Sequence, residues 1–130
     1  MNIRLPAPPS TNNLFINVRN GGRILSPAYR SWRNHAGTLL NLARVQPFGT
    51  ALVQIGLMVP RKPASRDIDN FSKAPIDLLV AHAIIADDKQ VERLTIERHD
   101  DADIIVDITP FAVLQSSRLA ASRVQGMGTK

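Results

Sequence analysis

Between residues 51 and 59 the chain alternates apolar and polar positions, with Ala51, Val53, Ile55, Leu57 and Val59 on one side. Period-two alternation predicts a strand with one buried face. Three further strands are predicted at "NIRLP", "QVERLTIER" and "DADIIVDITP", the last two joined by the acidic turn "HDDAD". Elsewhere the period becomes helical. "SPAYRSWRNHAGTLLNLARVQP" places Tyr29, Trp32, Ala36, Leu39, Leu40 and Ala43 on one stripe and leaves Arg30, Arg33 and Arg44 mostly off it. Ser26 suits the cap of this helix and Pro27 its first turn. A second helix is predicted over about residues 69–83, with Asp69 as a possible N-cap and Ile76, Leu79, Val80 and Ala83 facing inward. Pro75 lacks a backbone donor, so this helix either starts near Ala74 or bends there.

The connecting segments read as loops. Prolines force "PAPPSTNN" into an extended path, "NVRNGGR" is flexible at Gly21 and Gly22, and "RKPASR" is basic. From Phe111 a short helix through Arg123 is expected, then a flexible end at "GMGTK". There is no internal repeat and no dividing linker. The expected organisation is one domain over residues 1–110 with a C-terminal extension over 111–130. The expected fold class is α+β, a largely antiparallel four-stranded sheet with helices packed on it.

With 130 residues, 44% hydrophobic and 21% charged, the chain can bury a single core. No apolar run approaches the roughly 18 residues of a membrane-spanning helix, and "MNIRLPAPPS" lacks the apolar stretch of a secretory signal. The absence of cysteine excludes a disulfide framework and a thiolate metal site. A cytoplasmic protein with no membrane partner is the expectation.

Charge changes the picture further. Arg4, Arg19, Arg23, Arg30, Arg33, Arg44, Arg61, Lys62 and Arg66 are unaccompanied by any Asp or Glu up to residue 66, and all eleven acidic residues lie from Asp67 onward. A half-chain of cations without anions suits a polyanion, because Lys and Arg release counterions when they neutralise phosphates.

The acidic side begins with "RDIDNFSKAPIDLLVAHAIIADD", residues 66–88. In an extended or turning backbone Asp67 and Asp69 point the same way, so both carboxylates can face one cation while Ile68 turns into the core. Two such anions repel unless a cation lies between them. A helix that returns the chain to the sheet could bring Asp88 back beside the pair. Three carboxylates with no cysteine and no paired histidines favour a hard, oxygen-seeking ion such as Mg²⁺. Lys73, four residues after Asp69, could meet a phosphate or the charge developing on it.

Each feature also has a local reading: a helix cap, an i+4 ion pair, a turn before a strand. Their grouping beside a purely basic half favours a site. An EF-hand is excluded, since counting from Asp67 puts Phe71, Ser72 and Leu78 where a ligand, the glycine and the final Glu belong. Sugar-nucleotide transferases also use Asp-x-Asp, but 130 residues leave little room for one. His35, His82 and His99 are scattered and read as structural, and Tyr29 and Trp32 as core rather than base-stacking platforms.

"RDIDNFSKAPIDLLVAHAIIADDKQV" closely resembles the signature of the RusA family of Holliday junction resolvases, and "LPAPPSTNN" resembles that family's opening Pro-Pro-Ser-x-Asn segment. The likeness covers residues 3 to about 109. It implies a Mg²⁺-dependent homodimer that nicks four-way DNA junctions symmetrically in recombination and repair. It further implies that Asp67, Asp69 and Asp88 are metal ligands, that Lys73 is the catalytic lysine and that Arg66 contacts DNA. Basic loops carrying Arg19, Arg23, Arg61 and Lys62 would hold the duplex arms through phosphates. The rival reading is a DNA-binding module without catalysis, whose acidic cluster is structural.

Overall fold

Four strands form the main sheet of the computed structural model, which describes residues 1–112: β1 (Asn2–Leu5), β4 (Val53–Pro60), β5 (Val91–His99) and β6 (Ile104–Pro110). A small hairpin, β2 (Phe15–Asn17) with β3 (Arg23–Leu25), precedes the long helix α1 (Pro27–Leu42), and a shorter helix α2 (Lys73–Ala81) lies between β4 and β5. The predicted C-terminal helix from Phe111 to Arg123 falls almost wholly outside the described residues.

Local signals explain α1. The Ser26 hydroxyl accepts a bond from the Tyr29 N–H at 3.1 Å, and Pro27 occupies the first turn, where no intrahelical donor is needed. Its inward stripe is Tyr29, Trp32, Ala36 and Leu40. Gly37 completes that stripe, because a Cβ there would meet the His82 ring at 2.7 Å. Ala43, expected on the same stripe, is instead the exposed cap that ends the helix. Tyr29 and Trp32 stack with centroids 6.1 Å apart, and the Trp32 Nε1–H donates to the Pro6 carbonyl at 2.7 Å. Both rings are therefore core, as their spacing implied.

The sheet order is β1-β6-β4-β5. β6 runs antiparallel to both β1 and β4, whereas β4 and β5 are parallel, from Val53 beside Val91 to Pro60 beside His99. The sheet is therefore mixed: two of its three pairings are antiparallel, as expected, and the third is parallel. The reason is α2: it carries the chain back along the sheet, so β5 starts at the same edge as β4, which is what a strand–helix–strand crossover dictates. β5 and β6 are sequential yet do not pair. The turn between them passes over the end of β4, where the Arg61 N–H donates to the His99 carbonyl at 3.0 Å. Val53, Ile55, Leu57 and Val59 of β4 are buried, as the alternation predicted, while Ala51, expected on the same face, lies exposed before the strand; Ile104, Val106 and Ile108 of β6 are buried as well.

The segment read as a flexible loop at "NVRNGGR" is the β2–β3 hairpin, closed by Gly21 at φ 81° and a bond from the Val18 N–H to the Gly22 carbonyl at 2.9 Å. Cross-strand pairing and glycine geometry made a hairpin where composition alone suggested a loop.

Candidate active site

The acidic segment begins in the loop that leaves β4. Asp67 has extended backbone (φ −66°, ψ 145°) and opens a single 3-10 turn, Ile68–Phe71. Its carbonyl accepts the Asn70 N–H at 3.1 Å, while its carboxylate caps nothing. Asp69 lies within this turn, not at the cap of a longer helix; its carbonyl accepts the Ser72 hydroxyl at 3.0 Å. Phe71, at the end of this turn, is buried in the core beneath the Arg66 guanidinium. Ile68, expected inside, is on the surface.

α2 begins only at Lys73, which puts Pro75 at its third position, where no backbone donor is required. The helix thus starts beside Ala74, the first of the two expectations, and not at Asp69. Its buried face is Ala74, Pro75, Leu78 and Leu79; Ile76 and Val80 are half-buried, and Ala83 lies exposed beyond the end. Lys73 is tied to its own helix, with Nζ 3.3 Å from the Asp77 carboxylate.

Two neighbours hold the Asp67–Asp69 turn to the rest of the fold. The Thr11 hydroxyl of the "PPST" segment donates to the Asn70 carbonyl at 3.2 Å, so the two motifs distant in sequence touch. The Arg66 guanidinium lies 3.7 Å over the Phe71 ring and donates to the same Asn70 carbonyl at 3.3 Å. Burial pushes the Arg66 pKa below the ordinary arginine value.

The second acidic group is built differently. Asp87 caps the 3-10 turn Asp88–Gln90: its carboxylate accepts the Lys89 N–H at 2.9 Å, and the Gln90 side chain accepts the Asp87 N–H at 3.0 Å. Gln90 is buried and also donates to the Gly49 and Ala51 carbonyls at 2.9 and 2.7 Å, anchoring the acidic turn to the loop before β4. Sequence reading missed it; a glutamine three residues after Asp87 was the available capping-box signal. The Lys89 N–H and a hydrogen bond with Asp88 hold the Asp87 carboxyl below the usual range. That hydrogen bond, some desolvation and the charges of Asp87 and Asp77 push Asp88 above it.

Asp88 shares an open cleft with Arg33, Asp77 and Asp87. Asp67 and Asp69 do not line it. They stand before the first turn of α2 and Asp88 beyond its last, and nine helical residues rise about 13 Å. Among the described residues no three carboxylate or imidazole groups lie close enough to share an ion. The expected convergence of Asp67, Asp69 and Asp88 is thus not formed within the single chain. Exposed carboxylates match the donor chemistry of a hard divalent ion, and Asp67 with Asp69, on one short turn, are the pair that fits it, since Mg²⁺ takes one or two carboxylates and keeps several waters.

The basic residues differ in availability. Arg19 and Arg23 are exposed on the hairpin, where the Arg23 guanidinium lies 4.7 Å over the Phe15 ring. Lys62 is exposed. Arg61 is paired, with Nε 2.9 Å from the Asp100 carboxylate. His35 is exposed, His82 approaches the Asn41 amide oxygen at 3.3 Å, and the His99 Nε2–H donates to the Asp103 carbonyl at 2.6 Å. Among the described residues none of the three forms a metal-holding group with Asp67, Asp69 or Asp88.

A family model described as endodeoxyribonuclease RusA matches residues 6–109, spanning both motifs and every element from the first proline loop to β6. The chain belongs to the RusA family. It is an endodeoxyribonuclease that hydrolyses phosphodiester bonds, and RusA enzymes act on Holliday junctions in recombination. No curated protein matches the chain. Among the described residues no helix is long and apolar enough to cross a membrane.

Proposed function

We propose that this RusA enzyme resolves four-way DNA junctions by symmetric paired nicks in recombination and repair, as a Mg²⁺-dependent homodimer in the cytoplasm. Asp67, Asp69 and Asp88 are the metal ligands. The observation that carries the reading is the Asp67–Asp69 turn: two exposed carboxylates on a segment braced by Thr11 and Arg66, with the Asp67 carboxylate used for no cap. A bound divalent ion supplies an acidified water and neutralises phosphate charge.

The chain's own side chains do the rest. Lys73 stands one helical step beyond the acidic pair, and leaving Asp77 for the reacting phosphate would let it offset charge as the bond breaks. Arg19, Arg23, Lys62 and Arg66 take phosphates of the duplex arms, and Arg61 joins them once exchanged from Asp100. A four-way junction is nearly two-fold symmetric, so a two-fold dimer offers one site to each of two opposed strands. Since Asp88 stands apart from Asp67 and Asp69 in one chain, the dimer is also where the three are joined, Asp88 of the partner subunit completing each set.

Cleavage of a four-way junction and of linear duplex with the same sequence, each with Mg²⁺ or chelator, tests the proposal. Paired cuts at symmetry-related positions, in the junction alone and with Mg²⁺ alone, are expected. Equal cutting of the duplex would make this a general nuclease, and cutting in chelator would remove the metal from the reading.

A further inference from the structure

We propose that Arg98 is a positioning residue for Asp67, acting through the peptide that joins Asp67 to Arg66; the inference rests on Asp67 being a metal ligand. Arg98 is the penultimate residue of β5, beside Val59 of β4, at the end of the parallel pair from which the acidic loop departs. Its Nη2 donates to the Arg66 carbonyl at 2.9 Å. That oxygen and the Asp67 N–H belong to one planar peptide unit. Holding the oxygen fixes the rotation of the plane and so the direction in which the Asp67 side chain leaves the backbone. On the carbonyl side of the same peptide, the Arg66 side chain is locked over Phe71 and bonded to the Asn70 carbonyl. One guanidinium therefore holds the peptide itself, and the other holds the residue that supplies its carbonyl.

What singles out this clamp is its cost. Among the described residues, the buried side-chain nitrogen and oxygen atoms without a partner are Arg66 Nε and Arg98 Nη1. An unpartnered buried donor is unfavourable, and a native structure keeps one where another requirement outweighs it. An apolar side chain beside Val59 would satisfy the sheet without that penalty. Because Nη1 is buried, Arg98 is also poorly placed to take a phosphate from DNA. The remaining work for this side chain is at the Arg66 carbonyl. Groups that orient a ligand without touching the ion typically change metal affinity by 10–100-fold, on the order of what a ligand's own partner does.

The test uses the full chain with Arg98→Met, which keeps an apolar stem but no donor, and Arg98→Lys, which can still reach the carbonyl. Mn²⁺ binding is followed by paramagnetic resonance of the free ion, alongside junction affinity over a salt series and thermal unfolding. Arg98→Met is expected to weaken Mn²⁺ binding by about tenfold with junction affinity and its salt slope unchanged, and Arg98→Lys to recover most of the loss. Unchanged Mn²⁺ binding with a salt slope shallower by about one unit would make Arg98 a phosphate contact and overturn the proposal. Unchanged Mn²⁺ binding with only a lower Tm would overturn it in favour of a structural role. Asp67→Asn run in parallel separates the layers. If it too binds Mn²⁺ like the parent, the ligand assignment falls and takes this proposal with it. If Asp67→Asn alone weakens binding, only the Arg98 role is lost. Should Arg98→Met fail to fold, Arg98→Gln and Arg98→Lys are compared on the same readings.

Discussion

Single side chains in this RusA chain separate into those committed to the fold and those left free. Asp101 is committed. The Asp103 N–H, at 3.1 Å, and the paired Arg4 guanidinium hold its carboxyl below the usual range. A carboxyl depressed in the folded state contributes stability that is present above its unfolded pKa and is lost as pH falls through the folded one. Arg4→Met should therefore raise the Asp101 pKa partway, the Asp103 N–H remaining, and shift acid unfolding to higher pH. Carboxyl-carbon NMR titration checks it, and an unmoved Asp101 would show that the pair does not persist in solution. Lys73 is the opposite case, held at rest only by an exposed i+4 pair worth about 0.3 kcal/mol. Lys73→Ala is expected to slow single-turnover cleavage at saturating enzyme while junction affinity stays nearly constant, because its charge matters most as the reacting phosphate rearranges. Cutting at the parental rate would remove Lys73 from the chemistry.

At the scale of elements, α2 and its two flanking turns determine where the acidic residues stand. The helix ends at His82, and Ala83 then adopts a left-handed conformation, φ 56°, that lets the Ile84 N–H reach back to the Leu79 carbonyl at 2.9 Å. Alanine in that region costs about 1 kcal/mol because its Cβ crowds the following carbonyl. Ala83→Gly should recover about 0.5–1 kcal/mol after allowing for glycine's greater freedom when unfolded. Urea unfolding with a higher midpoint and an unchanged slope is the expected result. A lower midpoint would mean that the Ala83 methyl, although exposed, matters more than its backbone angle.

For the whole molecule the decisive question is how Asp88 reaches Asp67 and Asp69. If each metal set is shared across a two-fold pair, mixing inactive Asp69→Asn chains with inactive Asp88→Asn chains rebuilds one intact set per mixed dimer. The intact chain-derived groups are then Asp67 and Asp69 from one subunit and Asp88 from the other. Single nicks, rather than paired cuts, should return in the mixture. If all three ligands came from one subunit, every site in the mixture would carry a substitution and no cutting would return. Size measurement of the mixed sample confirms that dimers were present in either case.

Much of this architecture was legible because its cause is local. Ser26, Pro27 and a 3.6-residue apolar period specify α1 without help from the rest of the chain, and strict alternation specifies β4. The RusA signature, too, is a property of contiguous residues. Parallel pairing of β4 with β5 was not legible, since a stretch such as "QVERLTIER" can be read as a strand without showing which neighbour it meets. Ile68 is exposed where an extended backbone would have turned it inward, because the segment closes into a 3-10 turn that local composition did not reveal. Gln90 and Arg98 drew no attention as a strand residue and its preceding glutamine. Their importance arises from bonds to residues 32 to 41 positions earlier, at Gly49, Ala51 and Arg66. Nor could spacing place Asp88: an intervening helix sets distance as well as return, and α2 leaves it beside Asp77 and Asp87, apart from the pair it was expected to join. The sequence by itself determined which chemical groups are present and which short elements carry them, because caps, periods and motifs act within a few residues. Only the tertiary structure decided which of those groups share a space, because that depends on contacts between segments far apart along the chain.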